Sequence, residues 1–218
     1  MNNSRSDPIE RQAIRILFIL YFCGDNRNEP LPLFGDYTHY IESESRLQKF
    51  DFWIRYPDHL AAALIWGCQP GNDLANRADE VKRIVRSIFQ DQEPALRWTP
   101  MRRFLRGAYE PLDDLMIFLT SRWLAYRRIT EKGHRTCYYL TRKGHDAVTD
   151  ILKECGETLW YSERCRLLNS FYGHLNGFEI RKIQYLNEEY KDTPYWQVIG
   201  RIEAKVRQQF ELAFGEVL

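Results

Sequence analysis

Seven residues near the middle of the chain form the densest group able to do chemistry: Arg127, Arg128, Lys132, His134, Arg135, Arg142 and Lys143. The chemistry is electrostatic. Clustered Lys and Arg neutralise phosphates and release condensed counterions, which gives an affinity that depends on salt and not on base sequence. The window Arg97 to Lys143 holds eleven Lys and Arg against four Asp and Glu. The counts are eleven against fourteen before it and nine against twelve after it. Across all 218 residues, 31 basic and 30 acidic side chains nearly cancel, so any attraction to nucleic acid is local.

Other candidates are weaker. Asp113 and Asp114 are adjacent, so on a helix they point to different sides and make a poor metal pair. His59, His134, His145 and His174 have no carboxylate or nucleophile partner nearby in sequence, and read as surface or satisfied core residues. The five cysteines, Cys23, Cys68, Cys137, Cys155 and Cys165, form no CxxC pair. They read as reduced, mostly buried thiols of a cytosolic protein. Phosphate-cradling GxxxxGK[ST], HExxH and GxSxG patterns are all missing. The expectation is therefore no catalytic residue, no metal and no cofactor, hence not an enzyme. An active site assembled only in three dimensions is the remaining enzymatic alternative.

The elements that must position the basic residues follow from pattern. Leu124 to Ile129 and Thr136 to Leu140 read as strands around a polar turn containing Gly133. Thr141 is placed to cap a helix over Arg142 to Glu154. Ahead of the hairpin, Pro111 opens a helix over Leu112 to Trp123, and Thr99-Pro100 opens another over MRRFLRGAY. Near the start, Asp7-Pro8 begins a helix that runs through AIRILFILYF and stops at Gly24. Its apolar residues wrap nearly all the way round, which suits a core or an interface. The apolar run Ile14 to Cys23 is too short to span a bilayer, and no cleavage site follows it. Asp25 to Tyr40 reads as a loop broken by Pro30, Pro32 and Gly35. Further helices are expected over Ser43 to Tyr56, then from Asp58 through HLAAALIWG, and over Asn72 to Asp91. The last two are Leu159 to Leu175 and Pro194 to Phe214, the latter capped by Thr193. The helix Ser43 to Tyr56 carries two stripes. Leu47, Phe50 and Ile54 face the core. Arg46, Lys49, Trp53 and Tyr56 either anchor a partner, as aromatics with a cationic rim, or form core on the other side.

A helix, a hairpin and a following helix, with YYLTRKGHDAV at the exit, resemble a winged helix over Ala78 to Cys155. The fold class expected is mainly α: a helical protein with a winged-helix segment carrying a small antiparallel β hairpin. The regions expected are 1–71 (helical), 72–157 (winged-helix-like) and 158–218 (helical), or one compact unit. The resemblance implies that the hairpin's basic residues meet a phosphate backbone, against the alternative of a solvated charged hairpin. Leu112 to Trp123 would be the recognition helix, but it begins with two carboxylates and continues with LMIFL, which suits protein packing better than base reading.

A second resemblance rests on Arg46 to Ala61. Arg46, Leu47, Gln48, Asp51, Phe52, Arg55, Pro57, Asp58, Leu60 and Ala61 are similar to the middle components of Lamassu-type three-component defence systems. This implies a non-catalytic accessory subunit that bridges an SMC-like ABC ATPase and an effector nuclease against phage or plasmid DNA. Its expected location is the cytoplasm, with double-stranded DNA as a further contact and no membrane. The alternative is a winged-helix transcription regulator, a homodimer reading a pseudo-palindrome.

Overall fold

A computed structural model describes residues 8–26, 30–31, 35–90, 100–105, 107–129 and 135–218. The first elements are α1 (Ile9–Cys23), β1 (Asp25–Asn26), β2 (Pro30–Leu31), β3 (Gly35–Glu42), α2 (Glu44–Arg55) and α3 (Pro57–Gly67). After a 3-10 turn at Ala75–Arg77 come α4 (Ala78–Gln90), β4 (Arg102–Phe104), β5 (Gly107–Tyr109) and α5 (Asp113–Ser121). Then follow β6 (Ala125–Ile129), β7 (Thr136–Thr141), α6 (Arg142–Glu154) and α7 (Leu159–Tyr172). The chain closes with α8 (Gly177–Gln184), α9 (Glu188–Asp192) and α10 (Glu203–Phe214). The protein is mainly α, with a small antiparallel sheet and a two-stranded hairpin. It divides into two units, each built from two stretches of chain: Met1–Asp51 with Tyr109–Ile180, and Phe52–Ala108 with Arg181–Leu218. The chain passes from one unit to the other after Asp51, Ala108 and Ile180.

In the first unit α1 is the central element. Its all-round apolar sequence is used as core: Ala13, Ile16, Leu17, Phe18, Ile19, Leu20 and Cys23 are buried, and α1 packs on α5, α6, α7, β3 and β7. Pro8 stands at its N-cap position, and the expected cap Asp7 lies outside the described residues. At the other end a Cβ on Gly24 would fall 2.3 Å from the Leu20 carbonyl oxygen, so only glycine lets the chain turn there. Arg15, also buried, donates from Nε to Asp51 of α2, and its Nη2 lies 3.7 Å from Glu110.

The sheet has the order β1-β3-β7-β6, all antiparallel, with β2 also on β3. Gly35–Glu42, expected as the end of a loop, is thus a strand next to the hairpin. Tyr40 pairs with Tyr139 and Tyr126 with Tyr139, and rings 5.0 Å apart stack across the second pair. Burial pushes the Tyr139 hydroxyl up to about 12. Thr141 caps α6 as expected, accepting from the Gly144 amide at 2.9 Å.

Read in order, this unit runs α1, β1, β2, β3, the start of α2, then α5, the β6–β7 hairpin, α6 and α7, with β3 bonded to β7. The stretch Ala78 to Cys155, expected as the winged helix, is divided between the two units after Ala108. Residues 52–108, the last turn of α2 included, form an insertion that belongs to the second unit. Helix α4, expected to open the winged helix, belongs to the second unit.

In the second unit α3 packs between α4 and α10. Rings of Phe52, Tyr56, His59 and Tyr190 form an aromatic core, with Phe52–Tyr56 at 4.5 Å and Phe52–Tyr190 at 4.9 Å. Asp58 holds the start of α10 by accepting from the Ile202 amide at 2.6 Å. Two expected helices are corrected here. Within MRRFLRGAY, Arg102–Phe104 and Gly107–Tyr109 are the paired strands β4 and β5, and Gly107 takes φ +106, which favours glycine. Pro194 to Ile202 is not helical: it runs beside β4, with Arg103 donating to Gln197 O at 2.9 Å and Ile199 to Met101 O at 3.0 Å. Those pairings satisfy the backbone groups that a helix would have used internally.

Candidate functional site

The candidate face is built on α5 and the hairpin. Leu115, Met116 and Leu119 point inward and are buried, which fixes what α5 presents outward. That side shows Asp113, Asp114, Ile117 and Ser121, with Ile117 67% exposed. Asp113 and Asp114 suit the positive end of the helix dipole. Phe118, half-buried, carries the Arg122 guanidinium 3.6 Å above its ring. Trp123 follows at φ +59, an uncommon conformation for a side chain of its size, and is 56% exposed.

The basic residues of the hairpin are partly neutralised. Arg127 donates to Asp113 at 2.6 Å and Arg135 to Glu42 at 3.4 Å. Both pairs are solvent-exposed and each contributes about 0–1 kcal/mol, so a phosphate could displace them. Arg128, Arg142 and Lys143 are exposed. Lys132 and His134 lie outside the described residues.

The second group of expected site residues is corrected. Arg46, Lys49, Trp53 and Tyr56 are 7%, 1%, 0% and 1% exposed, so this stripe is core and presents no anchor to a partner. The charge beside the rings is met within the chain. Arg46 reaches Asp25 at 3.1 Å and the Gly173 carbonyl, with its guanidinium 5.5 Å from the Phe50 ring centroid. Tyr56 accepts from the Met101 amide at 3.0 Å. Every residue from Arg46 to Ala61 is buried. The residues carrying the second resemblance therefore do structural work: Gln48 donates to Glu110 O at 2.6 Å and accepts from its amide, and Asp51 pairs with Arg15.

Sequence reasoning missed one cluster. His39 on β3, Tyr21 on α1 and His145 on α6 come together, with ring centroids 5.4 Å (Tyr21–His39) and 6.0 Å (His39–His145) apart. Burial, then His145 and Arg142, lower the His39 pKa. Alternation in GDYTHYIE was the available signal, since it places His39 on a strand. Among the described residues no group of three His, Cys, Asp or Glu could hold a metal ion. In the second unit a cavity of about 70 Å³ is lined by Trp53, His59, Trp66 and Lys205, among others. Two of its polar groups are engaged: His59 with Gly200 O at 2.9 Å, and Lys205 with Glu189 at 2.8 Å. All five cysteines are free, with Cys23, Cys137 and Cys165 buried and Cys155 exposed. No helix among the described residues is long and apolar enough to cross a membrane.

The fold and this face define a mainly α protein with a small antiparallel sheet, in which α5 presents two carboxylates and an exposed isoleucine. Comparison with known protein families, with curated proteins and with solved structures finds no match.

Proposed function

We propose that the chain is a non-catalytic accessory subunit that docks on protein partners through α5. Following the resemblance over Arg46 to Ala61, those partners are an SMC-like ABC ATPase and an effector nuclease, in a cytoplasmic complex directed against phage or plasmid DNA. One observation carries the docking reading. Where a DNA-reading helix places donors, α5 places Asp113, Asp114 and an exposed Ile117. Carboxylates there repel phosphates, and an exposed branched aliphatic gains most by burial against protein. Arg128, Arg142 and Lys143 leave room for a secondary, sequence-independent contact with duplex DNA beside the docked helix.

Co-expression with the ATPase and nuclease subunits tests this. The expected result is co-elution as one assembly, which Ile117→Asp dissolves without lowering the isolated chain's Tm, because the side chain is already in water. Failure of the wild-type chain to assemble with the ATPase, or undiminished assembly of Ile117→Asp, would overturn the proposal.

A further inference from the structure

The second unit carries a surface that the docking reading does not use. Residues 194–199 run beside β4 and display two large rings, Tyr195 at 53% and Trp196 at 55% exposed. Trp196 takes φ +67, a conformation that a bulky L residue rarely adopts. The surroundings hold it there: its amide donates to Arg103 O at 2.8 Å, and its carbonyl accepts from the Arg102 guanidinium at 3.1 Å. Its ring lies 4.3 Å from that of Phe104. Strain of this kind persists only where neighbouring structure imposes it, and it concentrates at working surfaces.

Cations alternate with these rings. The Arg103 guanidinium is 5.0 Å from the Tyr195 ring centroid and 5.8 Å from that of Tyr185. Arg181 is 4.8 Å from Tyr185 on its other contact. Arg102 is exposed at the edge, and Asp192, just before Thr193, is the nearby acid in sequence. Open rings interleaved with arginines are the composition that holds a single nucleic-acid strand: every base has a face to stack, and every phosphate needs a cation. A duplex hides its base faces in the stack and offers only its backbone.

We propose that this face, centred on Trp196 with Tyr195, Arg102 and Arg103, binds single-stranded nucleic acid by base stacking, without sequence preference. The site lies in the second unit and is independent of docking through α5.

Fluorescence anisotropy on the full chain tests it, using labelled oligothymidylate of about twenty nucleotides, enough to cover one site, and a duplex of equal length. Trp196→Gly removes the ring while suiting the observed φ, so the variant keeps its fold. The expected result is tighter binding of oligothymidylate than of duplex, a loss of about tenfold in Trp196→Gly, and retention in Trp196→Phe. Arg102→Ala should reduce the salt slope by about 1. Absence of oligothymidylate binding, equal affinity of wild type and Trp196→Gly, or preference for duplex would each overturn the proposal. So would a Trp196→Gly variant that loses a protein partner while binding oligothymidylate unchanged, since the face would then belong to protein recognition.

Discussion

At the scale of the residue, Arg15 and Asp51 show how a charged side chain comes to sit in the middle of an apolar helix. Both are 1% exposed. Two buried charges are tolerable only while each satisfies the other, because removing one leaves the other desolvated and unpaired. Asp51→Ala is expected to cost about 3–5 kcal/mol, read as a lowered denaturation midpoint. Asp51→Ala with a midpoint near wild type would show that Glu110, 3.7 Å from Arg15, suffices alone. The same pair explains why the sequence misleads locally. Arg46 and Lys49 beside Trp53 look like a cationic rim around an anchor. Spacing along one helix cannot distinguish a rim from a core whose charges are met by residues far away in the chain, such as Asp25 and Gly173.

At the scale of the element, the helices with one apolar side were legible, as were the β6–β7 hairpin and the Thr141 cap, because each rests on contacts within a few residues. What failed were segments decided by distant partners. Strand β3 was obscured by Pro30 and Pro32 before it and by Gly35 at its start, and it exists because β7 lies alongside. Trp196, Ile199 and Ile202 fit a helical spacing, yet Ile199 and Ile202 are buried while Trp196 is exposed, so the run has no common side. The packing of β3 against α1 and α6 carries a pH dependence. His39 faces Tyr21 of α1 and His145 and Arg142 of α6, with Thr38 at 3.0 Å on its own strand and Asp146 beside His145. In the unfolded chain His39 takes a proton near pH 6.5, whereas the folded state resists until lower pH. The unfolded state then binds more protons, and stability falls as pH drops through that window. His59, also lowered, chiefly by burial, acts in the same direction. Tm should therefore decline from about pH 7.5 to about pH 5.5, and less steeply in His39→Phe. Parallel declines in the two proteins would remove His39 from the account.

At the scale of the whole molecule, the division into two units was not legible, because each is built from two separate stretches of chain. The hairpin, α5, α6 and α7 are contiguous in sequence, but α1 and β3 are separated from them by residues 52–108. Helix α4 comes before α5 and the hairpin in sequence, yet it belongs to the second unit. The insertion also sets the order in which a ribosome can deliver a finished first unit. Strand β3 waits for β7, with Glu42 opposite Cys137, and α1 waits for α7. Pairings between such distant residues make folding slow, since a long loop must close before any contact rewards it. Chains ended at Ala108 are expected to leave α1 digestible by protease under conditions where the full chain protects it. Equal protection would mean that α1 finds its core without the second half. Helix α1, buried in the finished unit through Ile16, Leu17, Phe18, Ile19 and Leu20, is thus made long before the elements that cover it, and over that interval its exposed apolar surface makes the chain prone to aggregate.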